Sequence, residues 1–119
     1  MIRPADSIAD VYLYKDFVDM RKQANGLSVL VEQELNKNPF AGGVYVFCNR
    51  ARTIIKIITW EKNGFVVWSK RLEKEKFPWP KKSAHQSISM NGEELNWILN
   101  GVNLWAIKPH ETLNFSGIS

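Results

Sequence analysis

The dipeptide Asn63-Gly64, which lies between two strand-like runs, is the feature that most constrains the fold of this chain. The runs cover residues 53–61 and 65–72 and are rich in β-branched and aromatic side chains. Asn-Gly between two such runs is typical of a tight β-hairpin, because both turn residues need positive φ. A third run, Val44–Cys48, comes before them and is separated from them by residues 49–52. The three runs therefore predict an antiparallel meander.

A strand and a helix are predicted before this meander. Residues 11–14 form a short β-branched and aromatic run that predicts a strand. Apolar residues then recur at helical spacing, which predicts a helix over much of residues 20–37. These residues are Leu27, Leu30, Val31 and Leu35. Asn38-Pro39 is expected to end the helix, and Gly26 lies inside it or marks a break.

The start of this first helix is ambiguous. Asp19 suits the N-cap position, but Arg21 and Lys22 would then lie in the first turn, where the helix dipole disfavours bases. One interpretation is that these bases contact an anion, with Asp19 holding Arg21 in a carboxylate–guanidinium pair. The alternative is that the helix begins later, near residues 25–26, so that both bases lie in a loop.

A second helix is predicted after residue 90. Asn91 suits its N-cap, Glu94 stands at the capping-box position, and Gly101 suits the position after its end. Its apolar face consists of Leu95, Ile98 and Leu99. The segment Phe77-Pro78-Trp79-Pro80 is expected to end the sheet before this helix, because two of its residues cannot donate a backbone hydrogen bond.

These elements predict one α+β domain, since 119 residues leave room for little more. We expect the domain to cover residues 1–104, with an antiparallel sheet of three to five strands packed on one face by two helices. Residues 105–119 are expected to form a loosely ordered tail.

Basic residues are concentrated in the middle of the chain. The stretch from Arg50 to Lys82 holds ten basic and three acidic residues, a net charge of +7. The remaining residues hold six basic and nine acidic ones, a net charge of −3. Such a separation within one domain indicates a surface for a polyanion, most simply nucleic acid. The alternative is a solvated basic surface that maintains solubility.

The predicted register places aromatic and basic side chains on the same face of the sheet. Counting back from a turn at Asn63-Gly64 pairs Trp60 with Val67 and Lys56 with Arg71. Tyr45, Phe47 and Trp60 then share a face with Lys56 and Arg71. If that face is exposed, it offers rings for stacking and cations for phosphate contact. The alternative is that the rings belong to the core and the lysine stems extend past them.

The residue types that carry catalysis or bind metals are sparse. Cys48, His85 and His110 do not form a cluster at zinc spacing. The N-terminal aspartates suit caps and turns. We therefore expect no enzyme activity, no cofactor and no metal site. The sequence also has no membrane-length apolar run and no signal-peptide pattern, so we expect a cytoplasmic protein without membrane contact.

A series of short matches between residues 11 and 104 resembles a known family. The matching residues include Val18 to Lys22, Gly26-Leu27, Leu30-Val31, Asn38-Pro39-Phe40, Val46-Phe47, Asn49-Arg50, Lys56-Ile57, Trp60, Gly64-Phe65, Trp68, Lys70 to Glu73, Phe77, Trp79-Pro80, Leu95, Trp97 to Leu99 and Gly101. They resemble the small TnpB-type accessory protein of the IS-sixty-six insertion sequences.

The resemblance implies an accessory factor for DNA transposition, whose partners are DNA and the larger transposase of the same element. It differs from the RNA-guided nucleases that share the TnpB name, which are several times longer. It implies no established chemistry and supplies no catalytic residues. Ala51, Thr53 and Ile54 are less basic than the family pattern, so we do not expect the turn at 49–52 to hold DNA alone.

The candidate site residues therefore come from the residues themselves. For nucleic-acid binding they are Arg21, Lys22, Arg50, Arg52, Lys56, Lys70, Arg71, Trp60 and Trp79, with Asp19 as structural support. The alternative function is a protein-binding module that uses the same basic face to dock an acidic surface of the transposase or of another partner.

Overall fold

The computed structural model describes residues 3–80 and 86–107. These residues form five strands and three helices. In chain order they are β1 (Val11–Tyr14), α1 (Ala24–Glu34), β2 (Val44–Cys48), β3 (Ile54–Glu61), β4 (Gly64–Arg71), β5 (Ser87–Met90), α2 (Gly92–Leu99) and α3 (Leu104–Ile107). The predicted α+β class is confirmed. No helix in these two ranges is long and apolar enough to cross a membrane.

The five strands form one mixed sheet in the order β4-β3-β2-β1-β5. The predicted meander of β2, β3 and β4 is confirmed, with antiparallel pairing throughout. Two features differ from the sequence-based expectation. β1 pairs with β2 in parallel, and β5, which was not predicted, pairs antiparallel with β1 after the proline-rich segment. The sheet is therefore mostly antiparallel with one parallel pair.

The predicted hairpin between β3 and β4 is present, but its turn lies one residue earlier. Glu61 pairs with Gly64, and Lys62 has the left-handed backbone conformation (φ 50°). Trp60 consequently pairs with Phe65, and Lys56 with Ser69, so the expected pairing of Lys56 with Arg71 is wrong. The register changes by an even number of residues, so the side chains remain on the faces that were predicted.

The β2–β3 register also differs from the expected one. Phe47 pairs with Lys56 rather than with Ile54. The reason lies in the side chain of Asn49, whose Oδ1 accepts hydrogen bonds from the backbone N–H groups of Thr53 and Ile54. These bonds hold a longer connection than the four residues assumed from the sequence.

Helices α1 and α2 lie on opposite faces of the sheet, not on one face as expected. Leu27 and Val31 of α1 pack with Phe47 and Ile58. The apolar face of α2 packs against the other side of the same strands, with Val46, Ile55 and Ile57. The parallel pair explains this arrangement, because a chain that leaves β1 and returns parallel to it must cross over one face, and α1 is that crossover.

The helix ends show which local signals were decisive. α1 begins at Ala24, and its N-cap residue Gln23 makes no side-chain capping bond. Asp19 is therefore not its cap, and Arg21 and Lys22 lie before the helix, as the alternative interpretation proposed. In α2 the predicted capping box of Asn91 and Glu94 is confirmed, and the glycine after the helix, Gly101, has φ 87°.

Helix α3 lies at the expected boundary between the domain and the tail. Leu104 is buried, and Trp105 packs against the same core cluster as α2. The rest of the expected tail, residues 108–119, lies outside the described residues, as do Lys81, Lys82 and both histidines.

Candidate functional site

The carboxyl ends of β1 and β2 open at the same edge of the sheet, because the two strands are parallel. The chain leaves β1 through residues 15–17 and leaves β2 through the turn at residues 49–53. Between these segments lies a cleft of about 500 Å³. Its lining residues are Lys15, Asp16, Phe17, Arg50, Arg52, Trp79 and Pro80. We call it the basic cleft, and three of the predicted site residues meet in it.

A rigid turn carries the two arginines of the basic cleft. Besides its bonds to the backbone, the Asn49 side chain donates from Nδ2 to Thr53 Oγ1 at 3.1 Å. Arg52 has a left-handed backbone (φ 60°), its N–H donates to Asn49 O at 3.0 Å, and its carbonyl accepts from Phe77 N at 2.7 Å. Both arginine side chains therefore project from a fixed backbone. Glycine adopts the conformation of Arg52 more readily than arginine does.

The aromatic side chains of the basic cleft differ in their exposure. Trp79 is only 3% exposed, and its Nε1 donates to Lys15 O at 3.0 Å, so it forms a fixed wall. Phe17 is 38% exposed and belongs to neither core cluster. The guanidinium carbon of Arg50 lies 6.0 Å from the centre of the Phe17 ring. The guanidinium thus lies over the ring, in the geometry of a cation–π contact.

The charge of the basic cleft is positive. Among its described lining residues, Lys15, Arg50 and Arg52 face a single carboxylate, Asp16. One oxygen of Asp16 lies 4.0 Å from Lys15 Nζ, and the other accepts a 2.7 Å hydrogen bond from Gln86 Nε2. The carboxylate therefore already has partners within the protein. Arg50 and Arg52 each present a planar guanidinium group, whose N–H donors suit an anion.

A second group of predicted residues lies on the face that α1 covers. Asp19 accepts hydrogen bonds from the Arg21 side chain, the shortest being 2.6 Å from Nη2 to Oδ2, and also from the Arg21 backbone N–H at 2.9 Å. These bonds lower the pKa of Asp19 from 3.8 to about 2. Both side chains are substantially exposed, so the pair shapes a surface turn.

The side chain of Lys56, on β3, holds the turn that contains Arg21 in place. Its Nζ donates to Met20 O at 2.7 Å and to Lys22 O at 3.1 Å. Lys56 therefore uses two of its three donors inside the protein. Lys22 is exposed beside it.

Lys70, Arg71 and Trp60 do not join either group. Lys70 points to the opposite face, where its Nζ donates to Leu99 O, at the C-terminus of α2, at 2.9 Å. Arg71 is exposed and pairs with Ile54, at the same end of the sheet as the basic cleft. Trp60 lies at the far end of β3, where its ring centre is 4.9 Å from that of Phe40 and 5.0 Å from that of Phe65.

Of the two alternatives for the aromatic face of the sheet, burial is the one observed for Tyr45 and Phe47. Tyr45 is 3% exposed and Phe47 is fully buried, because α1 packs over them. Sequence reasoning also missed Lys15 and Phe17 as neighbours of Arg50. Lys15 is the first residue after β1 and Phe17 the third, so recognising β1 and β2 as a parallel pair would have placed them at the edge where Arg50 lies.

The groups that could carry catalysis or hold a metal are few in the described ranges. Burial raises the pKa of the Cys48 thiol to about 12, which keeps the sulfur protonated and weakly nucleophilic at neutral pH. No three His, Cys, Asp or Glu side chains in residues 3–80 and 86–107 lie together as metal ligands would. The basic cleft instead presents cationic side chains next to an aromatic ring.

The fold and the cleft define a small α+β protein with one basic end. The chain belongs to the family of IS66 Orf2-like proteins, whose model matches residues 9–109. Membership associates it with transposition as an accessory protein. It is 28% identical over 109 residues to the uncharacterized protein y4hO of Sinorhizobium fredii (strain NBRC 101917 / NGR234), covering 92% of each chain.

A second relative from the same strain is the uncharacterized protein y4jC. It is 30% identical over 91 residues, which cover 76% of this chain and 77% of the relative. No solved structure matches the chain.

Proposed function

We propose that this protein is a non-catalytic, cytoplasmic accessory factor for insertion-sequence transposition that binds DNA through the basic cleft. The observation that carries the proposal is the convergence of Lys15, Arg50 and Arg52 on a concave surface with one carboxylate. The family associates the chain with DNA transposition, and DNA is the polyanion that this process supplies.

The structure also favours arginines over lysines as the contact residues. Lys56 and Lys70 each donate to carbonyl groups of the protein, so part of their hydrogen-bonding capacity is already used. Arg50 and Arg52 form no ion pair with a carboxylate in the described ranges. A guanidinium presents parallel donors that match two phosphate oxygens. We therefore expect the arginines of the turn to dominate DNA affinity.

The test compares two basic residues that share an unusual backbone. Arg52 and Lys62 both have left-handed conformations, φ 60° and 50°, and lie in the turns at opposite ends of β3. Arg52→Gly and Lys62→Gly each remove one positive charge and relieve the same kind of backbone strain. Only the first removes a group from the basic cleft. Each variant is titrated with element-end DNA and with unrelated DNA across a salt series.

We expect the unaltered protein to bind DNA at low salt and to lose affinity steeply as salt rises, because each phosphate contact releases counterions. Arg52→Gly should reduce the slope of log affinity against log salt by about 1, whereas Lys62→Gly should leave it nearly unchanged. Equal effects of both variants would remove the basic cleft as the DNA site. Absence of DNA binding at low salt would favour the alternative function, docking of an acidic surface of the transposase.

A further inference from the structure

We infer that the basic cleft holds one unpaired nucleotide, so that the protein prefers DNA with a single-stranded end to blunt duplex. The inference rests on the proposed DNA-binding function and specifies its substrate.

The first argument is size. A cleft of about 500 Å³ falls within the ~300–1,000 Å³ of sites that enclose one small ligand. A base inside a duplex is paired on one edge and stacked on both faces, so it enters a site of this size only after leaving the helix. A blunt duplex can touch the rim of the basic cleft through its phosphates but cannot fill it.

The second argument is the chemistry of the walls. One part of the lining is apolar and consists of Phe17, Trp79 and Pro80, and another part is cationic and consists of Lys15, Arg50 and Arg52. Phosphate binding alone would need only the cationic side chains. Single-strand binding sites combine cations for the backbone with rings on which bases stack. The lining therefore matches a nucleotide, with its flat base and its charged phosphate, better than a bare phosphate group.

The third argument is the position of Phe17 beside Arg50. The guanidinium carbon lies 6.0 Å from the ring centre, so a phosphate held by Arg50 places its own nucleotide next to the ring. The Phe17 ring is 38% exposed, whereas Trp79, the other aromatic residue of the basic cleft, is buried. Because Phe17 belongs to neither core cluster, the part of the ring that Arg50 does not cover can stack with a nucleobase without disturbing the fold.

The experiment measures the affinities of the full chain for three probes: a blunt duplex, the same duplex with a short single-stranded overhang, and the single strand alone. Phe17→Ala removes the ring, and Phe17→Leu removes its aromatic character while keeping an apolar side chain. Phe40→Ala is the matched control, since Phe40 is 52% exposed and lies in the aromatic cluster at the other end of the sheet.

We expect the unaltered protein to bind the overhang and the single strand more tightly than the blunt duplex. Both Phe17 variants should bind the overhang about ten-fold more weakly, the loss typical of one stacked base, and should bind the blunt duplex unchanged. Phe40→Ala should behave like the unaltered protein. Circular dichroism checks that each variant is folded. If Phe17→Ala does not fold, the affinities of Phe17→Leu test the inference.

Two results would overturn the inference: equal affinity for blunt and overhang DNA, or equal losses on both probes in the Phe17 variants. In either case DNA is still bound, so the proposed function survives without the preference for an unpaired nucleotide. Failure of all three probes to bind at low salt would instead refute the proposed function, and the inference with it.

Discussion

Replacing Lys56 by methionine should destabilise the protein by about 2 kcal/mol. The ammonium group is half-buried and donates to the carbonyls of Met20 and Lys22, at 2.7 and 3.1 Å. A hydrogen bond to a charged group contributes roughly 1.5–3 kcal/mol. The carbonyls lie in a surface turn and regain some hydration, so the two bonds together are worth about as much as one fully buried bond of this kind. Methionine retains the packing of the aliphatic stem.

Urea unfolding at fixed ionic strength measures the change in the free energy of unfolding. For a domain of this size, a loss of 2 kcal/mol corresponds to a decrease in Tm of roughly 8 °C. Lys74→Met is the control, because Lys74 is exposed and its replacement removes the same charge. Its effect should stay within about 0.5 kcal/mol.

Equal stabilities of the Lys56 and Lys74 variants would refute this reasoning. The two hydrogen bonds would then not hold the turn that carries Arg21 and Lys22. Lys56 would be free to bind a phosphate, and the proposed DNA-binding surface would extend from the basic cleft onto the face that α1 covers.

Two further predictions concern Gly92 and the Asp19–Arg21 pair. Gly92→Ala should destabilise the protein by about 2 kcal/mol, because the added Cβ overlaps the carbonyl of Ala5, whereas Gly64→Ala, which meets nothing within 4 Å, should be tolerated in the same unfolding experiment. Arg21→Ala should return the pKa of Asp19 from about 2 towards 3.8 in an NMR titration. Because folding lowers this pKa, any stabilisation by the pair is complete above pH 3.8 and is lost as the pH falls towards 2. An unchanged pKa of Asp19 in this variant would show that the Arg21 side chain does not lower it.

The elements that could be predicted from the sequence are those fixed by neighbouring residues. The β3–β4 hairpin follows from Asn63-Gly64, and the α2 boundaries follow from Asn91, Glu94 and Gly101. In each case the decisive contacts join residues close in the chain. The turn was misplaced by one residue because Lys62, which has no glycine-like freedom, takes the left-handed conformation.

The elements that could not be predicted depend on distant contacts. The pairing of β1 with β2 joins residues about thirty positions apart, and nothing in the run Val11–Tyr14 specifies a parallel neighbour. The strand β5 was missed because Ser87–Met90 alternates small polar and apolar residues in a short segment. The location of the basic cleft follows from the parallel pair, so the site could be predicted only in its composition. Arg50, Arg52 and Trp79 were identified, but Phe17 and Lys15 beside them were not.

The structure also changes what the local excess of positive charge means. From composition alone, all ten bases between residues 50 and 82 are equivalent contributors to a polyanion surface. In the fold, Lys56 and Lys70 are bonded to backbone carbonyls on opposite faces of the sheet, so they cannot act on one ligand together. Arg50, Arg52 and Arg71 instead lie at one end of it, where β2 ends, β3 begins and β4 ends. In the proposed DNA-binding function, recognition of a phosphate backbone would therefore depend on where these arginines project, more than on the net charge of the segment.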